Sequence, residues 1–495
     1  MFEAFVSGFV QVFTVPTLPL LLLGVLVGFA VGMLPGLGPS AALSLMLPYT
    51  FSMQPVEAFA FLLGMGAATG TGSDITAILF GVPGDADSAA TMVDGRPMAR
   101  NGEAGRALGA ALTSSLFGGL IGAFVLALSI PVIRPLVLSF GAPEFFALSV
   151  LGICFVAAVS EGSRLKGLIA GGMGLFLALV GLDSQTSTER YTLGFTELWD
   201  GIGLVPIVVG LYAIPELAAL AVHGAVMSPT HNVGKLTGVW QGCRDTFRHW
   251  GIAVRGSVVG TFIGFLPGLG GTVAQWIAYA QAVQSSSDKS KFGQGDVRGV
   301  IGPSAANNAK EGGGLIPTIA FGVPGNSFMA ILLGAFMIQG LRPGAEMLTT
   351  KLSLTFSMVW ILIVANVVAI TLCFLFLRWI VRIVTVPIPI LITVITVLVL
   401  LGGYTSTNSM ASVLITVIAG LLGLAMVYLG LPRAPLILGL VLGNLIERYF
   451  FISYTRYEFA FLARPLVIVI FTILLLVLFW PVLTSLFKAY RRRGE

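Results

Sequence analysis

Apolar stretches long enough to cross a lipid bilayer recur from one end of this chain to the other. A bilayer offers no water to the backbone, so only helices and closed barrels can span it. A spanning helix needs about 20 apolar residues. Candidate spans lie at residues 16–34, 107–133, 142–160, 165–182, 201–222, 251–266, 352–378, 386–403, 409–430, 432–447 and 464–487. Residues 35–85 and 267–340 are also apolar, but Gly, Pro, Ser, Thr and Asn interrupt them, and neither reads as a clean span. Composition agrees: 56% of the 495 residues are hydrophobic and 10% are charged, with a mean hydropathy of +0.96. Soluble domains carry about 25% charged residues. This chain has too few charges for an ordinary soluble enzyme or a disordered protein. Its net charge of +5 belongs to loops and the C-terminus, as juxtamembrane Lys and Arg do, and does not mark a nucleic-acid binder.

The chemistry-bearing residues exclude more. Cys154, Cys243 and Cys373 are far apart and form no metal or disulfide motif. His223, His231 and His249 all fall in or beside one polar loop, which reads as solvated, so no histidine remains for a proton relay within the membrane. No nucleotide-binding motif is present, which argues against ATP-driven transport by this chain alone. Residues 1–13 have no Lys or Arg and do not read as a signal peptide. Phe2, Phe5, Phe9 and Phe13 recur at helical spacing, which predicts an interfacial amphipathic helix over 1–15.

The interruptions repeat. Leu34-Pro35-Gly36-Leu37-Gly38 returns as Leu266-Pro267-Gly268-Leu269-Gly270, and Phe80-Gly81-Val82-Pro83-Gly84 as Phe321-Gly322-Val323-Pro324-Gly325. Ile169-Ala170-Gly171 with Gly181 returns as Ile418-Ala419-Gly420 with Gly430, and Pro206 with Gly210-Leu211 as Pro435 with Gly439-Leu440. The chain therefore reads as two membrane repeats, 16–222 and 251–448. A basic cytoplasmic linker at 223–250 joins them, and a last helix and basic tail fill 449–495. Matched broken helices in duplicated halves mark secondary transporters. The Lys and Arg of the linker and of the tail place both in the cytoplasm. Each half then crosses an odd number of times, and the repeats are inverted. The expected fold is an all-α integral membrane protein, a polytopic helical transporter with two inverted repeats, broken or re-entrant helices and about 11–14 membrane segments.

Several motifs resemble the TctA family, the large membrane subunit of bacterial tripartite tricarboxylate transporters. They are Gly32-Met-Leu-Pro-Gly-Leu-Gly-Pro39, Gly264-Phe-Leu-Pro-Gly-Leu-Gly-Gly271, Phe292-Gly-Gln-Gly295, and Ala305-Ala-Asn-Asn-Ala309 running through Leu315-Ile-Pro317 to Gly322-Val-Pro-Gly325 and Gly340-Leu-Arg-Pro-Gly344. The resemblance covers nearly the whole chain. It implies a carrier, not an enzyme, of citrate-like tricarboxylates or other carboxylates in the inner membrane. It also implies a sodium or proton gradient as the driving force, a small four-helix TctB-like membrane subunit and a periplasmic TctC-like solute-binding protein as partners, and no cofactor beyond the coupling ion. Elevator-type movement follows only by fold analogy. The chain departs from the family pattern at Ser304, where Glu is usual, at Thr69-Gly-Thr-Gly-Ser-Asp74, and at Lys310-Glu311, where small residues are common. A stand-alone anion channel is the competing reading, although no filter pattern is visible.

A carboxylate needs hydrogen-bond donors and positive potential, and helix N-termini at breaks supply both. The expected substrate site therefore comprises Pro35, Gly36, Gly38 and Ser40 with Pro83 and Gly84, and in the second half Pro267, Gly268, Gly270 and Thr272 with Pro324, Gly325 and Asn326. Asn307, Asn308 and Lys310 complete it. Thr69, Thr71, Ser73 and Asp74 offer oxygens to a coupling ion, and an acid at membrane depth is a functional candidate. Asp85, Asp87 and Asp94 with Arg96 and Arg100 read as a solvated loop, and Glu144, Glu161 and Glu216 as interfacial or structural.

Overall fold

The computed structural model describes residues 1–34, 37–159, 163–183, 185–223, 236–383 and 388–494. The first half runs through α1 (Phe2–Val12), α2 (Thr17–Gly32), α3 (Pro39–Met46), α4 (Pro55–Phe80), α5 (Ala89–Met98), α6 (Ala104–Leu138), α7 (Ala142–Val159), α8 (Arg164–Ala178) and α9 (Leu204–His223). A short helix, α10 (Val239–Arg248), follows. The second half holds α11 (Trp250–Phe265), α12 (Gly270–Gln284), α13 (Val297–Phe321), α14 (Ser327–Ile338), α15 (Leu352–Ile383), α16 (Ile388–Thr405), α17 (Met410–Leu429) and α18 (Arg433–Tyr457), and α19 (Pro465–Gly494) ends the chain. Among the described residues, the strands are one antiparallel pair of two residues each, Gly181–Leu182 with Glu189–Arg190.

By length and composition, five helices among the described residues could each cross a membrane, or six if the bent pair α1–α2 forms one span. Shorter apolar helices lie in α7, α11, α14, α16 and α19. The two interrupted regions are more regular than their sequence suggests. At their centres α4 and α13 run unbroken for 26 and 25 residues. The breaks are confined to the segments just before and after α3 and α12 and just after α4 and α13. The reason is packing. All residues of α13 from Gly299 to Ala320 are buried, as are those of α4 from Ala58 to Leu79 except Gly70. Small and polar residues there serve contact between helices rather than breakage. Local signals set the ends. A Gln54–Glu57 capping box with Pro55 in the first turn starts α4, and Gly81 in the left-handed conformation (φ 68°) stops it. Asp296 caps α13, and Gly322, also at φ 68°, ends it.

Two glycine seams carry the closest packing. On α2, Gly24, Gly28 and Gly32 lie against the backbones of Phe61, Met65 and Thr69 on α4. On α11, Gly256, Gly260 and Gly264 lie against Gly302, Ala306 and Lys310 on α13. A Cβ at any of these six positions would overlap a carbonyl oxygen of the facing helix.

The N-terminal helix bends 68° away from α2 and lays Phe5 and Phe9 on Trp360 of α15. The linker is not simply a solvated loop. Within it, α10 packs on α6 through Gly242 against the Arg106 carbonyl and through an Arg106–Asp245 ion pair at 2.6 Å. His231 and Lys235 lie outside the described residues.

Adding one methyl group at a seam overpacks it, at a cost of about 1–3 kcal/mol. Gly28→Ala and Gly260→Ala are expected to lower the melting temperature of the detergent-purified protein. Gly172→Ala, where a Cβ meets nothing within 4 Å, is expected to leave it unchanged. Equal melting of all three would contradict the seams.

Candidate functional site

A cavity of about 740 Å³ lies where the breaks of the two halves meet. Residues 38–41, 83–87, 268–272, 326–328 and 430–434 line it, with Lys310 and Glu311 of α13 and Tyr212 and Glu216 of α9. The first turns of four helices, α3, α12, α14 and α18, therefore reach its wall. The first N–H groups of a helix have no partner inside that helix, and they carry partial positive charge. Pro39 at the start of α3 fits there because proline has no N–H to leave unpaired. The Gly268 N–H donates to the Gly325 carbonyl at 2.8 Å and ties the two breaks of the second half together. Gly84 and Gly325 press against the carbonyls of Gly32 and Gly264, the last residues of the two seams.

Two cations face the cavity, and each already holds an acid. Lys310 pairs closely with Asp87, and its Nζ is 3.8 Å from Glu311. Thr272 donates to the other oxygen of Asp87 at 2.8 Å. Gly271 has no side chain because a Cβ there would fall on the Asp87–Lys310 pair. Across the cavity, Arg433 donates to Glu216 at 3.0 Å and to the Leu211 carbonyl at 3.3 Å, with its guanidinium 4.6 Å from the centre of the Tyr212 ring. Asp85 also lines the wall, and its N–H donates to Ser73 Oγ at 2.7 Å. Glu311 leaves Oε2 buried and without a hydrogen bond.

The structure gathers Gly38, Ser40, Pro83, Gly84, Gly268, Gly270, Thr272, Lys310 and Asn326 on this wall. Pro267, Pro324 and Gly325 belong to the breaks but do not line the cavity. Pro35 and Gly36 lie outside the described residues. Asn307 and Asn308 do not reach the cavity. Asn307 donates to the Gly70 carbonyl at 3.2 Å, and Asn308 donates to Thr71 Oγ1 at 3.1 Å and to Asn366 Oδ1 at 2.7 Å. The pair pins α13 to α4 and α15, because those helices pack directly on the face that carries them. Of the run in α4, Thr69 and Thr71 donate to the carbonyls of Met65 and Ala67 in their own helix. Ser73 receives the Asp85 N–H, and Asp74 is wholly buried.

The acidic stretch after α4 is not a solvated loop. Asp94 is buried and accepts from the Gly295 and Asp296 N–H groups and from the Tyr279 hydroxyl, each at 2.9 Å. Arg96 donates to the Leu79 carbonyl, whereas Arg100 is exposed. Glu216 is a cavity residue, while Glu144 pairs with Arg464 at 2.8 Å. Glu161 lies outside the described residues. Arg433 and Tyr212 escaped the reading of the sequence. Arg433 did carry a signal, since it is the first residue of α18, the end where the helix dipole disfavours a cation.

The sequence matches the tripartite tricarboxylate transporter TctA family over residues 18–438. An uncharacterized 52.8 kDa protein in the TAR-I ttuC' 3' region of Agrobacterium vitis is 36% identical over 428 residues, covering 86% of this chain and 84% of that protein. An uncharacterized protein in the TAR-II ttuC' 3' region of the same organism is 32% identical over 190 residues, 38% of this chain and 78% of that protein. No solved structure matches.

The Lys310–Asp87 pair should behave as one unit. Removing one partner of a buried pair costs about 3–5 kcal/mol, because the other charge is stranded. Lys310→Met and Asp87→Asn are each expected to destabilise the purified protein, and the double variant to lose less than the sum. Strict additivity in melting would contradict the pairing.

Proposed function

The chain belongs to the TctA family of tripartite tricarboxylate transporters, and on that premise we propose that it imports tricarboxylates or other carboxylates through the cavity between Lys310 and Arg433. The observation that carries this reading is the convergence of four helix N-termini and two cations on one cavity. N–H groups with partial positive charge and paired cations suit a multivalent carboxylate. The substrate would take over Lys310 from Asp87 and Arg433 from Glu216.

The same wall argues for ion coupling. Four acids, Asp85, Asp87, Glu216 and Glu311, face the cavity against two cations. A carboxylate entering there comes close to acids already on the wall, and like charges at close range disfavour one another. Co-entering sodium ions or protons offset that cost. We therefore read the protein as a secondary transporter driven by a sodium or proton gradient.

Paired contacts support a duplicated architecture, and the basic linker and tail support its inversion. The packing of α2 on α4 corresponds to that of α11 on α13, and α10 on α6 corresponds to α1 on α15. Across the halves, α8 packs on α18 as α17 packs on α9. The cavity is lined by α3, α12, α13 and α14 together with α9 and α18, and we assign the first four to one body and the last two to the other. That division suits elevator-type alternating access, in which one body carries Lys310 past the other. By family, the protein works in the bacterial inner membrane with a small TctB-like subunit and a periplasmic TctC-like solute-binding protein. The basic tail and linker then face the cytoplasm.

Uptake into vesicles carrying this chain with both partners tests the proposal, with sodium and proton gradients imposed separately. Arg433→Gln is expected to lower initial uptake at least about tenfold, the scale of losing a charged hydrogen bond, with protein level unchanged. Parental uptake by this variant would move the substrate elsewhere. Flux indifferent to both gradients would favour a channel.

A further inference from the structure

Asp74 is the group that the cavity leaves unexplained. It lies in α4, 1% exposed, and neither of its carboxylate oxygens forms a hydrogen bond. Three hydroxyl side chains adjoin it: Ser88 from the turn after α4, Thr91 from the first turn of α5, and Ser304 from α13. All three are fully buried. Ser88 Oγ also has no hydrogen-bond partner, and the Thr91 and Ser304 hydroxyls share one long hydrogen bond of 3.4 Å. Four oxygen-bearing side chains, from α4, the turn after it, α5 and α13, thus meet with a single long hydrogen bond among them, and the Asp74 carboxylate and Ser88 hydroxyl remain unpaired. A buried carboxylate that forms no hydrogen bond is among the most costly groups a protein can carry.

A hard monovalent cation satisfies this set at once. Every candidate ligand is an oxygen, which suits an alkali or alkaline-earth ion rather than a transition metal. A single carboxylate balances a single positive charge. Unlike these residues, Thr69 and Thr71 have their hydroxyls committed to their own helix. We propose that Asp74, Ser88, Thr91 and Ser304 form a sodium site that couples the ion to carboxylate binding, an assignment that rests on the transport function proposed above. The link to the cavity is short. Ser88 belongs to the same turn, Ala86–Ser88, as Asp87, which holds Lys310 and Thr272. Ser304 stands on α13, the helix that carries Lys310 and Glu311. Sodium at Asp74 fixes this turn against α13 and so sets the position of Asp87 at the cavity wall.

Binding of radioactive sodium to the purified full-length chain tests the site without requiring transport. Asp74→Asn, Ser88→Ala and the parent are compared, with melting temperature as the control for folding. The parent is expected to bind sodium saturably, Asp74→Asn to lose binding, and Ser88→Ala to bind at least about tenfold more weakly. Excess potassium is expected to compete poorly. Should Asp74→Asn fail to fold, Ser88→Ala and Ser304→Ala carry the test, since each removes one small hydroxyl. A parent that binds no sodium, or folded variants that bind as the parent does, would overturn the assignment, and a site that takes only a proton gives the first of these results. Carboxylate uptake measured in parallel separates the two claims. Uptake without sodium binding leaves the carrier and removes the site. Sodium binding that needs Asp74, with no uptake of any carboxylate, keeps the site and removes the carrier.

Discussion

The contact of α2 with α4, and of α11 with α13, decides where the rest of the molecule can go. Three glycines at every fourth position bring each helix onto the backbone of its partner. At such range no side chain separates the two. Each seam ends at the last turn of its helix, where carbonyls have no partner further along. Gly84 and Gly325 fill those ends by packing on the Gly32 and Gly264 carbonyls. The seams thereby draw the second break of each half onto its first, and the two halves bring both pairs of breaks to one cavity. Non-helical backbone persists there because protein surrounds it and it lines a cavity.

The charges around the cavity follow from this frame. Lys310 is at once a cavity residue and the last seam position, its backbone under Gly264 and its side chain on Asp87. Gly271 must lack a side chain because that pair occupies the space. Both cavity cations are held by acids of the chain, so neither is a bare charge. An anionic substrate competes for partners rather than finding bare charge. Such exchange makes binding sensitive to anything that repositions Asp87, and Ser88 beside it is the point at which a cation could act.

Periodicity made much of this fold legible. Nearly every apolar stretch became a helix, and parts of the repeated motifs, Gly38, Pro83, Gly84, Gly268 and Gly270, lie on the cavity wall. What periodicity missed has physical causes. Small and polar residues in α4 and α13 resemble helix breakers in sequence, yet burial among other helices lets these two run unbroken for 26 and 25 residues. The Asn307–Asn308 pair looked like a ligand set because its polarity is visible in sequence while the α4 and α15 groups that accept from its two amide N–H groups are not. Arg433 and Tyr212 were missed because they lie far in sequence from the Leu-Pro-Gly-Leu-Gly and Gly-Val-Pro-Gly breaks, although the repeated Gly210-Leu211, Gly430 and Pro435 stand beside them. Only the packing of α9 and α18 brings them to the cavity. The acids after α4 looked solvated because nothing local shows that Asp87 meets Lys310 or that Asp94 receives backbone N–H groups from the segment before α13.

The central claim is that a carboxylate occupies the cavity between Lys310 and Arg433. Its most direct measurement is protection of a single cysteine introduced at Ser40, on the cavity wall, in a chain whose three native cysteines are replaced. A thiol reagent is applied with and without tricarboxylate, alongside a control cysteine at exposed Leu193. The account predicts that the carboxylate slows modification at position 40 and leaves position 193 unchanged. Equal rates at position 40 with and without carboxylate, in protein that still transports it, would contradict the account.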